Sequence, residues 1–294
     1  MDGFRNGDAA RWQRDLFVTL PGDMAVRDQQ DLMAHPFFSL AKSRRTVPID
    51  YAAGDVCIRV EGTAEHGIAT IWDADVLIWA ASQLVEARDA GLRTARQLVT
   101  TPHQILTFTG RGTSVRDYQR LRAALDRLQA TTIVTNLRQA DQRRRHRFSW
   151  INEWKERADA AGWPLGLELI LPDWFYQGVL EDAFVLTIER DYFDLTGGIE
   201  RWLYRLARKH AGRQAEGWVF DFRHLHLKSG SLARFANFAI DLRSIARRQR
   251  LPGYRLSVER RRDGSERLRF RPGGVLATPP EPPNTYPQTR GENR

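Results

Sequence analysis

The chain has a single cysteine, Cys57, among 294 residues. That excludes an intrachain disulfide and a zinc site built from several cysteines, and it suits a reducing cytoplasm. No apolar run approaches the ~20 residues needed to cross a bilayer, so no membrane partner is expected. The opening stretch, MDGFRNGDAARWQRD, lacks the apolar core of a signal peptide. A phosphate loop of the form GxxxxGK[ST] is missing too. Gly110-Arg111-Gly112-Thr113 is too short and carries no lysine, so ATP hydrolysis by that route is not expected. The carboxylate pairs Glu181/Asp182 and Asp191/Asp194 have no supporting partner in the sequence and read as caps and surface charges. No catalytic residue, metal ligand or cofactor is assigned, and the chain reads as a non-enzyme.

Lysine is scarce as well: the 45 basic residues include only Lys42, Lys155, Lys209 and Lys228, and the rest are arginine. The formal net charge is +9. Such an excess suits a polyanionic partner, and arginine's planar fork can bind phosphate or a guanine edge through two hydrogen bonds. The composition is 42% hydrophobic and 10% aromatic, enough to bury real cores. The length suits about two domains.

The stretch from Ser229 to Arg271 carries the clearest pattern. Leu232, Phe235, Ala239, Leu242 and Ala246 recur at helical spacing, while Ser231, Arg234, Asn237, Asp241, Ser244 and Arg248 fall away from that stripe. Ser229 and Ser231 are candidate caps, and Pro252-Gly253 ends the helix. Two alternating runs then flank Asp263-Gly264, a strong hairpin signal. Eleven arginines between Arg243 and Arg271 face only Glu259, Asp263 and Glu266. A helix followed by a basic ribbon is the closing order of a winged helix, with the helix in the major groove and the ribbon along the backbone.

The first half foreshadows the same order. Residues 1–30 read as a flexible arm. His35 to Lys42 and Val47 to Tyr51 form an apolar knot beside Arg44 and Arg45. Val56–Glu61 alternates as a strand, with residues 67–71 as a candidate partner. Asp73 caps a helix through about Ala87. Thr101-Pro102 starts a short helix, and Ser114 caps a longer one whose outward side shows Arg116, Gln119, Arg120, Ala123 and Arg127. Residues 131–137 and 148–155 read as the strands of a hairpin around the basic loop RQADQRRRHR. Residues 158–166, with Gly162, Pro164 and Gly166, read as the boundary to the second half, where strands, a helix after Gly197-Gly198 and the short helix FRHLHLK precede the stretch above.

The expected fold class is therefore α+β, with two tandem winged-helix domains and flexible termini. The divisions are an arm at 1–30, domains at 31–160 and 161–271, and a disordered tail at 272–294. The expected DNA-binding residues are Ser114, Arg116, Gln119, Arg120 and Arg127 on the first long helix, with Arg143, Arg144, Arg145 and Arg147 as its wing. In the second half they are Ser231, Arg234, Asn237 and Arg248, with Arg260, Arg261, Arg262 and Arg267 as its wing. A different chemistry starts from His224-Leu225-His226. Two histidines around one apolar residue, with Tyr176, Tyr192 or Tyr204 as nucleophile, would suit a metal-dependent origin nickase. A helical context argues against it, because residues two apart on a helix do not share a face.

The run from His35 to Lys42, with Arg44-Arg45 and Pro48-Ile49, resembles the entry motif of the replication initiator protein A family of plasmids in α-proteobacteria and relatives. Residues 71–78 (IWDADVLI), 113–128 (TSVRDYQRLRAALDRL), 193–208 and 230–242 look like further parts of that family, over about residues 30–271. The resemblance implies a non-catalytic, cytoplasmic initiator that binds double-stranded DNA at repeated origin sites called iterons. It also implies possible homodimers and recruitment of the host initiator and helicase-loading proteins. A transcriptional regulator is the alternative use of the same fold and charge.

Overall fold

The computed structural model describes residues 16–138, 145–161, 164–181, 184–212 and 214–273. The fold is α+β. The arm does not stay free where it is described. Leu16–Val18 (β1) runs parallel to Gln97–Thr100 (β5), and Arg27–Gln29 (β2) pairs antiparallel with Val185–Thr187 (β10). A short helix, Gln30–Ala34 (α1), follows, and Asp28 and Gln29 are buried. The expectation of a flexible arm is corrected for 16–30, and residues 1–15 lie outside the described ones.

Two successive units share one topology. In the first, the helix Ala74–Asp89 (α2) leads through β5 into Pro102–Phe108 (α3) and Val115–Ala130 (α4). The strands Glu153–Ala158 (β8) and Pro164–Ile170 (β9) close it, in the order β5-β9-β8. In the second, Gly198–His210 (α6) leads through Trp218–Asp221 (β11) into Phe222–Ser229 (α7) and Phe235–Arg248 (α8). Tyr254–Arg260 (β12) and Glu266–Pro272 (β13) close it, in the order β11-β13-β12. Between the units lies the helix Asp173–Leu180 (α5).

This corrects five sequence expectations. Residues 148–155 are not one strand: His146–Ser149 (β7) pairs with Thr132–Thr135 (β6), whereas β8 pairs with β9 in another sheet. The chain turns at Trp150 and Ile151, which are fully buried. The hairpin topologically equivalent to β12–β13 is thus β8–β9, and Pro164 and Gly166 lie in β9, not in a linker, while Gly162 lies outside the described residues. The partner of Val56–Glu61 (β4) is Ile49–Ala53 (β3), which joins it in the sheet β3-β4-β6-β7; residues 67–71 contribute only isolated bridges. The second unit's long helix begins at Phe235, because Ser229 ends α7 and Gly230 takes a left-handed conformation at φ 60°. Leu232 is exposed outside the helix, and the Ser229 and Ser231 hydroxyls accept from the amides of Ser231 and Ala233 in the intervening turn. Pro272 ends a strand, so the disordered tail does not begin there, and residues 274–294 lie outside the described ones.

Local chemistry accounts for the well-marked starts. Thr101 and Ser114 each make a capping box, with Gln104 and Asp117 respectively. Asp73 does not cap α2 through its side chain. Its carboxylate accepts from the Thr70 amide (2.7 Å) and from Arg127 (2.8 Å) instead. Asp221 likewise makes no capping bond and pairs with Arg267 at 3.2 Å.

Buried side chains from both units form one continuous cluster. Phe37 and Phe38 of the entry motif sit within it. The Phe38 ring stacks on Trp150 at 5.1 Å, and Phe37 meets Trp150 and Trp174 edge-on at 5.4 and 5.9 Å. Such ring pairs add stabilisation beyond their buried area. Ion pairs cross the same seam. Arg201 of α6 contacts both Asp75 oxygens (2.8 and 3.0 Å), Arg111 joins the same carboxylate at 2.9 Å, and Arg205 pairs with Asp28 at 2.6 Å. The two units are one packed body with a shared core.

Candidate nucleic-acid interface

In each unit the helix after the turn keeps one face out of the core. On α4, Leu121, Ala124, Leu125 and Leu128 are buried, while Val115, Arg116, Gln119 and Arg120 are exposed. Its start is fixed by Ser114, whose Oγ lies 2.6 Å from Asp117 Oδ2. Ser114 is exposed but serves as a cap. Arg116 has no ion-pair partner among the described residues, and Arg120 has a long contact to Asp117 at 3.4 Å. Arg127 is engaged differently: its guanidinium makes a two-pronged pair with Asp73 and holds α4 to the start of α2.

On α8, Phe238, Ala239, Leu242, Ile245 and Ala246 are buried. Arg234, Asn237, Asp241, Arg247 and Arg248 are exposed. Arg248 bonds Glu200 of α6 at 3.0 Å and is thereby committed to the fold. Ser231 lies in the turn, half-buried. Two further residues share the outward face and were missed in the sequence: Ile240, 56% exposed, and Arg247. Their signal was the spacing 237, 240, 244, 247. An apolar side chain on a polar face can meet a thymine methyl.

The hairpin β12–β13 follows α8 and packs against it through β12. Asp263 Oδ1 accepts from the Ser265 amide at 2.8 Å, and Gly264 takes φ 80°, which closes the turn. Arg260, Arg261 and Arg262 are exposed at its tip, with Arg260 3.5 Å from Glu266. Glu266 also takes Arg243 at 2.6 Å, and those arginines hold its carboxyl below the usual range. Arg267 and Arg269 are occupied by Asp221 and Glu259. Among the described residues, Arg261 and Arg262 at the tip of this hairpin, and Arg255 and Arg271 opposite one another at its base, have no carboxylate partner.

The four arginines expected as the first wing are divided. Arg145 and Arg147 are exposed at and before β7, an edge of the sheet β3-β4-β6-β7, not on the β8–β9 hairpin. Arg143 and Arg144 lie outside the described residues.

Beside the outward face of α4 is a cleft of about 730 Å³. Arg120, Ala123 and Arg127 of α4 form one wall, Lys42 and Arg44 the other, and Trp72 is part of its lining. Among the described residues no cluster of three or more His, Cys, Asp or Glu could hold a metal ion. No helix of the described residues is long and apolar enough to cross a membrane.

Residues 27–256 match the family model described as "Replication initiator protein A". The chain belongs to the replication initiator protein A family. It is 34% identical over 236 residues to a protein of Wigglesworthia glossinidia brevipalpis that bears the name "Putative replication protein", covering 79% of this chain and 84% of that one. In fold, this initiator-family chain resembles crystal structures of domains 2 and 3 of RctB. One has a TM-score of 0.60 at 16% identity, over 83% of this chain and 98% of the other; a second has 0.55 at 14%, over 83% and 96%. The family match spans the first unit and the helices of the second and ends within β12.

Proposed function

We propose that this replication initiator binds double-stranded DNA at repeated origin sites through two winged helices and does so without catalysis. The order of helices and strands in each unit supports this reading, with α4 and α8 proposed as recognition helices. The observation that carries this reading is the repeated unit: in both copies the helix after the turn shows an exposed polar face, and the second is flanked by a hairpin with unpaired arginines at its tip. Arg116, Gln119 and Arg120, with Arg234 and Asn237, reach base edges. Arg260, Arg261 and Arg262 hold phosphates. The bound complex then recruits the host initiator and helicase-loading proteins, and homodimers act as a negative control of initiation.

The paired histidines support the non-catalytic reading. His224 and His226 lie on α7, where the His224 ring stacks on Phe220 at 5.7 Å and the His226 Nε2 is 2.7 Å from the Ala233 carbonyl. The two rings serve different neighbours. Tyr192 and Tyr204 are fully buried, and burial pushes the Tyr192 phenol up to about 12, far from the ionised form a nucleophile needs.

The test is a footprint of the purified protein on the DNA flanking its own gene, with magnesium present and the strands resolved on a denaturing gel. Protection at a fixed spacing over direct repeats with intact strands is expected. A single protected promoter site would favour a transcriptional regulator, and a discrete nick would overturn the non-enzymatic reading.

A further inference from the structure

The two closing hairpins carry opposite charge. Between Tyr254 and Pro272, seven arginines face Glu259, Asp263 and Glu266. Between Glu153 and Ile170, Glu153, Glu156, Asp159 and Glu168 face only Lys155 and Arg157. Two of the few cations near the first hairpin are already taken: Lys155 lies 3.3 Å from Glu168, and Arg122 of α4 is 2.5 Å from Glu156. A hairpin with surplus carboxylates repels a phosphate backbone. The topology that makes β8–β9 the counterpart of β12–β13 therefore does not give it the same task.

A helix ~10–12 Å across fills a major groove ~12 Å wide, so phosphates run along both of its flanks. One flank of α4 faces the acidic hairpin. The other faces the cleft, where the exposed cations are Lys42, Arg44 and Arg120. The Lys42 ammonium lies 5.2 Å from the centre of the Trp72 ring. Arg44 donates once, to the Glu65 carbonyl at 3.0 Å, and has no carboxylate partner among the described residues. Its stem crosses Gly67, where a Cβ would come within 2.7 Å of Arg44 Cγ; the glycine, at φ 73°, makes room for the side chain to lie there. Deeper in, Arg127 is neutralised by Asp73, and Arg111 and Arg201 by Asp75. Glu65, Asp117 and Asp126 also line the cleft; the Glu65 carboxylate is largely in solvent, and Asp117 lies 3.4 Å from Arg120. The cleft cations without a carboxylate partner among the described residues are thus Lys42 and Arg44, on the rim beside α4.

We propose that in the first unit the DNA backbone is held by this cleft rim, through Lys42 and Arg44, and not by the β8–β9 hairpin. The proposal rests on the DNA-binding reading above and assigns to the entry motif a phosphate-clamping role beyond its aromatic plug.

The experiment measures the affinity of the full chain for an origin repeat and for random duplex over a range of salt concentrations. Lys42→Ala and Arg44→Ala are each expected to weaken both DNAs by the same factor and to flatten the plot of log affinity against log salt by about one unit. Lys155→Ala and Arg157→Ala in the hairpin are expected to leave the slope unchanged. Lys42→Gln and Arg44→Gln repeat the test with the side-chain stems kept, and thermal melts confirm folding. An unchanged slope in the rim variants, or an equal drop in the hairpin variants, overturns the proposal while leaving DNA binding standing. A wild-type chain that binds neither DNA overturns the reading beneath it.

Discussion

Arg45 Nη1 donates to the Gly230 carbonyl at 2.5 Å, joining the first unit to the turn that leads into α8. The same buried guanidinium donates to the carbonyls of Val47 (2.8 Å) and Pro48 (3.0 Å). Three backbone acceptors from two units are thus satisfied by one planar group. Arg45→Met, which keeps the stem and removes the donors, should destabilise the fold by about 1–3 kcal/mol in urea denaturation, the cost of leaving buried carbonyls unpaired. Arg45→Lys should recover little, because a point-like ammonium cannot span the three acceptors. An unchanged denaturation midpoint in Arg45→Met would contradict this role.

Asp75 makes a stronger demand. It is buried with Arg201 and Arg111 on its two oxygens. Removing the carboxylate by Asp75→Ala leaves two guanidinium groups uncompensated, of which Arg201 is itself buried. A loss of about 3–5 kcal/mol is expected, the range for breaking a buried pair. The double variant Asp75→Ala/Arg201→Met should be less destabilised than the sum of its singles. Additive losses would show that the pair is not coupled.

Which features could be read from sequence follows from how local their causes are. The helix starts at Thr101 and Ser114 and the turn at Asp263-Gly264 each depend on residues within a few positions, so they stand where the pattern put them. The α+β class and the repeated order of helices follow from the same signals. The short strands β5 and β11 were missed because four residues carry little periodicity and their partners lie about fifty or more residues away. Pro164 and Gly166, which lie in β9, read as a linker because proline and glycine more often mark chain boundaries. Arg127, Arg248 and Arg267 looked like free interface cations. Their partners Asp73, Glu200 and Asp221 are close only in the folded chain, and no spacing rule reveals them.

Acid should loosen the fold through two histidines near the seam. Burial first, then the nearby Lys228 and Lys209, lower His35 to about 3 and His210 to about 4. In the unfolded chain both return to about 6.5. Below that value the unfolded chain binds more protons than the folded one. Stability is therefore complete above pH 6.5 and falls as the pH drops toward 4. With allowance for solvent screening, about 1 kcal/mol per histidine is expected between pH 7.5 and pH 5. Urea midpoints across that window would show it, and His210→Phe, beside Phe220 at 5.3 Å, should flatten the slope. A midpoint constant from pH 7.5 to 5 would rule the mechanism out.

Base reading and backbone holding separate by their response to sequence. Arg234 and Asn237 lie at the exposed start of α8, whereas Arg261 and Arg262 sit at the tip of the β12–β13 hairpin. Arg234→Ala or Asn237→Ala should cost about 1–3 kcal/mol for the cognate repeat and little for random duplex. Arg261→Ala or Arg262→Ala should weaken both alike and reduce the salt slope by about one unit. On α4, Arg116→Ala should behave as the first pair, since no described residue pairs with its guanidinium. Arg127→Ala should instead lower stability, because its guanidinium is already committed to Asp73. Competition binding with repeat and random DNA, paired with a thermal melt for each variant, sorts all six. A uniform loss for Arg234→Ala would move that residue from the bases to the backbone.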